Sequence, residues 1–360
     1  MAKASHKKCN NRVLFICKVS DYCFGSEYVE PKKISGLRNS ASFCMNVLEK
    51  AGIHCKLVVV RDNNDIDREV NKFKPTHVII EALWVVPEKF VILNKLHPKV
   101  KWIIRIHSEL PFVAGEGIAM EWIIKYVSYK NVYISGNSPL LENDLVSLIK
   151  TAYPDQDLTW KVIYLPNCYQ CTKQNLSPIL DPDRLNIGCF GAIRPLKNQL
   201  IQAAAAIDFA DRLNVPINFH MNGDRIEQLG QPVLKNIKSL FALHPQHNLV
   251  LHDWMDHDMF LDVLSTMDIG LQVSLSESFN IVAADMVCVD IPMVVSPAIY
   301  WASDWFKANP IDKSDIVNKM RFAYKMSFFN FHNLNRIKLS KTCDDHAKIW
   351  IQYFRTDCDV

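Results

Sequence analysis

The feature that most limits how this chain can fold is a row of short apolar runs without the polar alternation of a half-exposed strand. In the first half they are RVLFIC (Arg12 to Cys17), KLVVV (Lys56 to Val60), THVIIE (Thr76 to Glu81), KWIIRIH (Lys101 to His107), NVYIS (Asn131 to Ser135) and WKVIYLP (Trp160 to Pro166). Runs of this kind belong to strands buried on both faces, which is the situation in a parallel sheet covered by helices. The segments between them supply the helices. In GLRNSASFCMNVLEKAG, Leu37, Ala41, Cys44, Met45, Leu48 and Ala51 fall on one helical face.

The pattern breaks at CYQCTKQNLSPILDPDR (Cys168 to Arg184), which has two prolines, many polar residues and little periodicity. It restarts with LNIGCFG (Leu185 to Gly191), INFHMNG (Ile217 to Gly223), NLVLH (Asn248 to His252), DIGLQVS (Asp268 to Ser274) and PMVVS (Pro292 to Ser296). The expected architecture is therefore α/β, with two doubly wound, Rossmann-like domains. Their boundaries are read as 1–167 and 185–340, joined by a linker over 168–184. From about Lys313 the chain reads as helical and aromatic-rich, and residues 341–360 are expected to form a crossover helix that packs back on the first domain. Open α/β sheets bind ligands outside the carboxyl ends of their strands, so a cleft between two such edges is the expected site.

Composition narrows the function classes. At 360 residues and 49% hydrophobic, the chain can fill two cores. A net charge of +3 is unlike the basic balance of a dedicated nucleic-acid binder, although a local basic face stays open. Eleven cysteines are scattered, and Cys17, Cys44, Cys189 and Cys288 lie in apolar runs, which suits reduced thiols. The start, MAKASHKKCNN, has no apolar targeting core, and no run approaches the ~20 residues of a membrane span. A cytoplasmic protein without a membrane partner is expected.

The stretch SLSESFNIVAADMVCVDIPMVV (Ser274 to Val295) carries Glu277 in the loop after a strand, with a helix expected to begin near Phe279. A helix N-terminus favours phosphate or carboxylate. Asp285 follows eight residues later, a little over two helical turns, and is expected on roughly the same face. Two ionised carboxylates so placed could grip vicinal hydroxyls. Spacing alone equally allows one capping acid and one solvated acid.

The order of residues in SESFNIVAADMVCVDIPMVV resembles the signature of the retaining nucleotide-sugar glycosyltransferases of GT-B fold, often called group 1 or family 4. That pattern is an acid, a small residue, Phe and Gly, a second acid, then Gly-x-Pro-Val-Val. Here Glu277, Phe279 and Asp285 match, as do Pro292 to Val294, while Asn280 and Asp290 replace the glycines and Asp285 replaces the usual Glu. FGAIRPLKNQ (Phe190 to Gln199) resembles the family's Gly, Arg, Lys segment, and Arg194 and Lys197 stand where a diphosphate would bind. Without the resemblance they read as two surface cations. IYLPNC with Pro166 and Asn167, HMNGDR with Gly223 and Asp224, and WMDHDMFLDVLSTMDIGLQVS also resemble family segments. His107, at the end of KWIIRIH, resembles the cleft histidine that contacts the sugar.

The resemblance implies that His107 and Glu277 orient the sugar. It implies donor binding by Gly36, Arg194, Lys197, Ser276, Ser278, Phe279, Asn280 and Asp285, with Asp285 on the ribose diol. It implies a nucleotide-sugar donor, a UDP-sugar above others, with no prosthetic group and no required metal. The segments DIDREVNKFKPTHVIIEALWVVPEKF and WIIRIHSELPFVAGEGIAMEW look like those of tailed-bacteriophage enzymes that add arabinose or glucose to 5-hydroxymethylcytosine in DNA. That implies double-stranded DNA carrying this base as an acceptor, and Lys32, Lys33 and Arg38 as contacts for it. A glycan, protein or small-molecule acceptor, or a non-catalytic nucleotide-sugar binder, would fit the same fold. HDWMDHD (His252 to Asp258) is rich in metal-type ligands but reads as a capping or solvated loop, and the Cys168–Cys171 pair alone gives too few ligands for structural zinc.

Overall fold

A computed structural model of the chain describes residues 11–19, 36–170 and 183–356. The chain divides into two compact units, Met1–Tyr169 with Cys343–Val360, and Gln170–Thr342.

The first unit holds strands β1 (Arg12–Lys18), β2 (His54–Val60), β3 (His77–Glu81), β4 (Lys101–Ile106), β5 (Val132–Gly136) and β6 (Val162–Tyr164). Its helices are α1 (Gly36–Lys50), α2 (Asp65–Phe73), α3 (Lys89–Leu96), α4 (Leu110–Val113), α5 (Ala119–Tyr126) and α6 (Pro139–Ala152). The sheet order is β2-β1-β3-β4-β5-β6, and every pairing is parallel. Val13, Leu14, Phe15 and Ile16 of β1 are each 0% exposed, because both faces of the strand are covered. Leu14 and Ile16 join Ile80, Phe90, Trp102 and Ile104 on one face. Val13, Phe15 and Cys17 meet Ala41, Cys44 and Leu48 of α1 on the other.

The second unit holds β7 (Leu185–Gly188), β8 (Ile217–Asn222), β9 (Asn248–His252), β10 (Ile269–Gln272) and β11 (Met293–Val295) in the order β11-β10-β7-β8-β9, again all parallel. Its helices are α7 (Gln199–Leu213), α8 (Gly230–Ala242), α9 (His257–Ser265), α10 (Ile281–Cys288) and α11 (Lys313–Ser327). Ile187, Phe219, Leu271 and Val294 form its core with Ala203 and Ala206 of α7 and Ile316 and Met320 of α11. The last helix, α12 (Asn333–Thr356), begins in the second unit, and its later residues Trp350 and Phe354 lie in the core of the first.

Strands are present at each expected apolar run. Two local expectations change. The start of the expected linker belongs to the first unit: Cys168 and Tyr169 are 2% and 5% exposed, and Tyr169 packs edge-on against Phe43 with ring centroids 5.2 Å apart. The helix expected near Phe279 begins at Ile281, and Glu277 lies in the preceding loop as expected; what changes is that it shares no helical face with Asp285. Among the described residues, no helix is long and apolar enough to cross a membrane.

Candidate functional site

Parallel strands bring the chemically interesting residues of each unit to one sheet edge. In the first unit that edge carries Glu81, the last residue of β3, and His107, which follows β4. Neighbouring strands β3 and β4 place Glu81 opposite Arg105. Arg105 Nη1 meets Glu81 Oε2 at 3.1 Å, and both side chains are 0% exposed. The rest of the guanidinium is also occupied: Nε donates to Leu165 O at 3.0 Å and Nη2 to Asn167 Oδ1 at 2.5 Å. Asn167 Oδ1 also accepts from Ser40 Oγ at 2.8 Å, and the guanidinium lies over the Trp350 ring, 5.2 Å from its centroid.

Glu81 holds His107 Nε2 at 2.5 Å, and Asn137 Nδ2 stands 3.3 Å from His107 Nδ1. This assigns the proton to Nε2, donated to Glu81, with Nδ1 accepting. Burial, and then the nearby Arg105 charge, lower the His107 pKa below 6.5 against the pull of Glu81. Burial raises the Glu81 pKa, but Arg105 and His107 outweigh it and the net shift is downward. The result is a neutral imidazole fixed by a buried carboxylate.

In the second unit the loop after β7 is laced to the loop after β10. Gly191 adopts φ +121°, a conformation open to glycine, and its N–H donates to Asn222 Oδ1 at 2.7 Å. Pro195–Lys197 form one 3₁₀ turn, which Asn198 ends at φ 59°. Asn198 Nδ2 donates to Val273 O at 3.0 Å, Gln202 Nε2 donates to Lys197 O at 2.8 Å, and Gln202 Oε1 accepts from Val273 N at 2.8 Å. Leu275 N donates to Leu196 O at 2.9 Å. This lacing brings Lys197 Nζ to 2.5 Å from Glu277 Oε1, with side chains 12% and 7% exposed. Arg194 Nη1 lies 3.2 Å from Glu227 Oε2. Sequence reasoning had the cations and one acid, but not Glu227.

The two glycine replacements keep the backbone that glycine would supply. Asn280 sits at φ 62° and Asp290 at φ 68°, and Asn and Asp are the non-glycine residues that enter this region most readily. Asn280 also caps α10, accepting from Ala283 N at 2.9 Å, and donates to Gln272 Oε1 at 2.8 Å. Asp290 pairs with Arg336, and with His332 at 3.2 Å.

Three expected donor contacts are placed differently. Phe279 is 0% exposed and packs on Trp301, whose Nε1 donates to the Phe279 carbonyl at 2.7 Å, so its ring serves the core. Asn280 is 7% exposed, with its side chain committed to the cap. Asp285 is 2% exposed, and its Oδ1 lies 2.9 Å from His257 Nε2. What reaches outward there is the His257 side chain, 34% exposed. The hydrogen bond to Asp285 raises the His257 pKa above 6.5 against its partial burial. HDWMDHD does cap a helix, since Asp256 accepts from Met259 N at 2.9 Å, but it also supplies this histidine.

Ser276 and Ser278 are half-buried in the loop with Glu277. Gly36 opens α1, and a Cβ added there would meet nothing within 4 Å. Arg38 is half-buried on α1, whereas Lys32 and Lys33 lie outside the described residues, as does Cys171. Among the described residues no group of three or more His, Cys, Asp or Glu is placed to hold a metal ion.

No protein-family model and no curated protein matches the sequence. Solved structures do match the fold. A trehalose-6-phosphate synthase, OtsA, aligns with a TM-score of 0.68 at 10% identity, over 97% of this chain and 99% of that one. A sucrose-phosphate synthase from Thermosynechococcus elongatus gives 0.65 at 12% identity over 96% and 98%. HepE from Anabaena, solved in complex with UDP and glucose, gives 0.62 at 11% identity over 97% and 99%. The chain therefore has the GT-B fold, with two parallel-sheet Rossmann-like domains.

Proposed function

We propose that this chain is a glycosyltransferase that uses a nucleoside diphosphate sugar, and that the edge of the second sheet binds the donor. The observation that carries the reading is the Lys197–Glu277 pair, 2.5 Å apart beside Arg194–Glu227 at 3.2 Å. Two cations each held by a carboxylate form a site where partners can be exchanged. An arriving diphosphate takes Lys197 and Arg194, and the released Glu277 carboxylate accepts hydrogen bonds from sugar hydroxyls. The same cations then stabilise the charge that develops on the leaving diphosphate. Ser276 and Ser278 flank Glu277 as hydroxyl partners. Asp285 acts on the ribose through His257, which it holds in place. His107, neutral and fixed by Glu81, orients the sugar. Gly36 leaves room for close approach of a phosphate.

UDP is the proposed nucleotide, supported by neighbours that include a structure with UDP and glucose. The course of reaction implied by the sequence resemblance is retention, with a leaving-phosphate oxygen taking the acceptor proton and no metal required. The finer reading rests on sequence resemblance alone: arabinose or glucose transferred to 5-hydroxymethylcytosine in duplex DNA, with Arg38, Lys32 and Lys33 on its phosphates.

The test is UDP release from UDP-glucose and UDP-arabinose, with and without duplex DNA containing 5-hydroxymethylcytosine. Release that disappears in Glu277→Ala supports the donor reading, and dependence on the modified DNA supports that acceptor. Calorimetry showing no binding of UDP or of either UDP-sugar would overturn the proposal.

A further inference from the structure

Helix α3, KFVILNKL, is apolar toward solvent as well as toward the core. Phe90 and Leu93 are 0% exposed and belong to the core of the first unit. Val91, Ile92 and Leu96 face the other way, 60%, 53% and 54% exposed, and Val86, just before the helix, is 38% exposed. A helix that is apolar all round is normally a buried one. Single exposed aliphatic side chains are ordinary on a surface, but a contiguous group of them on one short helix marks a place where something docks.

The charges beside this group stand end to end. At about 100° per residue, Glu88, Val91, Ile92, Lys95 and Leu96 fall within an arc of about 140°. Glu88 precedes the helix and Lys95 lies in its last turn, so Val91 and Ile92 have an acid on one side and a base on the other. Lys95 makes no ion pair among the described residues. Glu88 Oε1 accepts from Lys125 Nζ at 3.0 Å, but the Glu88 side chain is 61% exposed, which leaves a carboxylate oxygen for a second cation.

Such a face is complementary to a second copy of itself. In a twofold pair every contact is made twice, residue i meeting j and j meeting i. Two α3 helices laid antiparallel across a twofold axis between positions 91 and 92 bring Val91 onto the partner's Ile92. Glu88 then stands opposite the partner's Lys95, and Leu96 covers the partner's Val86. Lys89 stands opposite the partner's Asn94, so no like charges meet. An anionic lipid surface would instead call for cations at both ends of the helix, and Glu88 opposes it.

We propose that the outer face of α3 is a homodimer interface, in which Glu88 of each chain pairs with the partner's Lys95 around a shared Val91–Ile92 contact. The pairing is independent of the donor chemistry. One short helix pair covers less than the roughly 800 Å² per partner of a standard interface, so association in the micromolar range is expected.

Sedimentation velocity on the full chain across the micromolar range tests this, and a concentration-dependent dimer is expected. Ile92→Glu sets two carboxylates side by side at the axis and should weaken the dimer by roughly tenfold or more. Glu88→Lys and Lys95→Glu should each weaken it by roughly tenfold, because like charges then meet twice. The double change Glu88→Lys with Lys95→Glu should restore it. Positions 88 and 95 are about 10 Å apart along one helix, too far to meet within a chain, so recovery in the double change reports the partner. All three side chains are exposed, and melting curves of the dilute variants should match that of the parent chain. A chain that stays monomeric throughout the range, a dimer indifferent to Ile92→Glu, or a double change no better than either single one would each overturn the interface. Binding of a monomeric chain to phosphatidylserine vesicles, lost in Ile92→Glu, would also overturn it and give the face to a lipid surface.

Discussion

At the edge of the first sheet an arginine and a glutamate meet at 3.1 Å with neither side chain exposed; at the edge of the second, a lysine and a glutamate meet at 2.5 Å with 12% and 7% exposed. The first pair is locked between strands, and its arginine is also bonded to Leu165 and Asn167. It cannot trade partners with a solute unless the core opens. The second pair lies on loops and needs only a side-chain rotation. Buried charge of the first kind fixes geometry, holding His107 in one tautomer. In the proposed reading the second pair, on loops, does the binding, and the two edges of one fold divide support from exchange.

That division can be broken experimentally, beginning with the largest effect. Arg105→Met should destabilise the first unit by about 3–5 kcal/mol, because Glu81 is left charged and buried without its partner. Urea unfolding should show this, and adding Glu81→Gln should recover much of it. Lys197→Ala should cost less, about 1–3 kcal/mol, since Glu277 loses a partner but sits on a loop that can turn it to water. It should lower turnover by roughly 10²–10³-fold if Lys197 steadies the leaving group. A drop in melting temperature matching that of Arg105→Met would erase the distinction. Glu277→Gln sharpens it: turnover should fall while UDP alone binds more tightly, since Lys197 no longer has a carboxylate to leave.

The pH dependences should run in opposite directions. His107 has its pKa lowered from 6.5 in the folded state. The unfolded chain therefore takes up the proton first, and this contribution is lost as pH falls below about 6.5. His257 has its pKa raised from 6.5. Its contribution is complete below that value and is lost as pH rises through the raised one. In His257→Asn the decline on the alkaline side should shrink and the decline on the acid side should remain, as read from urea midpoints across the range. The smallest effect is expected at Asn280. Replacement by Gly keeps the left-handed backbone and should cost under about 1 kcal/mol, whereas Ala, without a cap or ease at φ 62°, should cost about 1–3 kcal/mol.

The contrast between the edges also shows what a sequence reveals. Strands buried on both faces declare themselves as apolar runs, so RVLFIC and DIGLQVS were legible without neighbours. Arg194, Lys197 and Glu277 were legible because loops after strands carry binding residues and their order resembles a known pattern. Glu81 and Arg105 were hidden inside THVIIE and KWIIRIH, where each looks like polar punctuation in a strand. Their pairing exists only because β3 and β4 are neighbours, a fact of topology. His257 was hidden by a cluster of acids and histidines that reads as a solvated cap, and only the approach of α10 gives it Asp285. The substitutions at Asn280 and Asp290 looked like departures because sequence shows the side chain lost and not the φ angle kept.

The last helix has a consequence for how the protein is made. Trp350 and Phe354 are 0% exposed in the core of the first unit, and Trp350 Nε1 donates to Pro166 O at 2.7 Å. His346 Nδ1 lies 2.7 Å from Asn167 O. During synthesis the second unit's whole sheet emerges before these residues do. Domains usually complete themselves in the order of translation, but here the unit translated earlier must wait for residues that follow the whole of the second unit. Until then it presents an open apolar face, so a nascent chain stalled near Thr342, or a premature stop there, would hand a chaperone the N-terminal half rather than the C-terminal one.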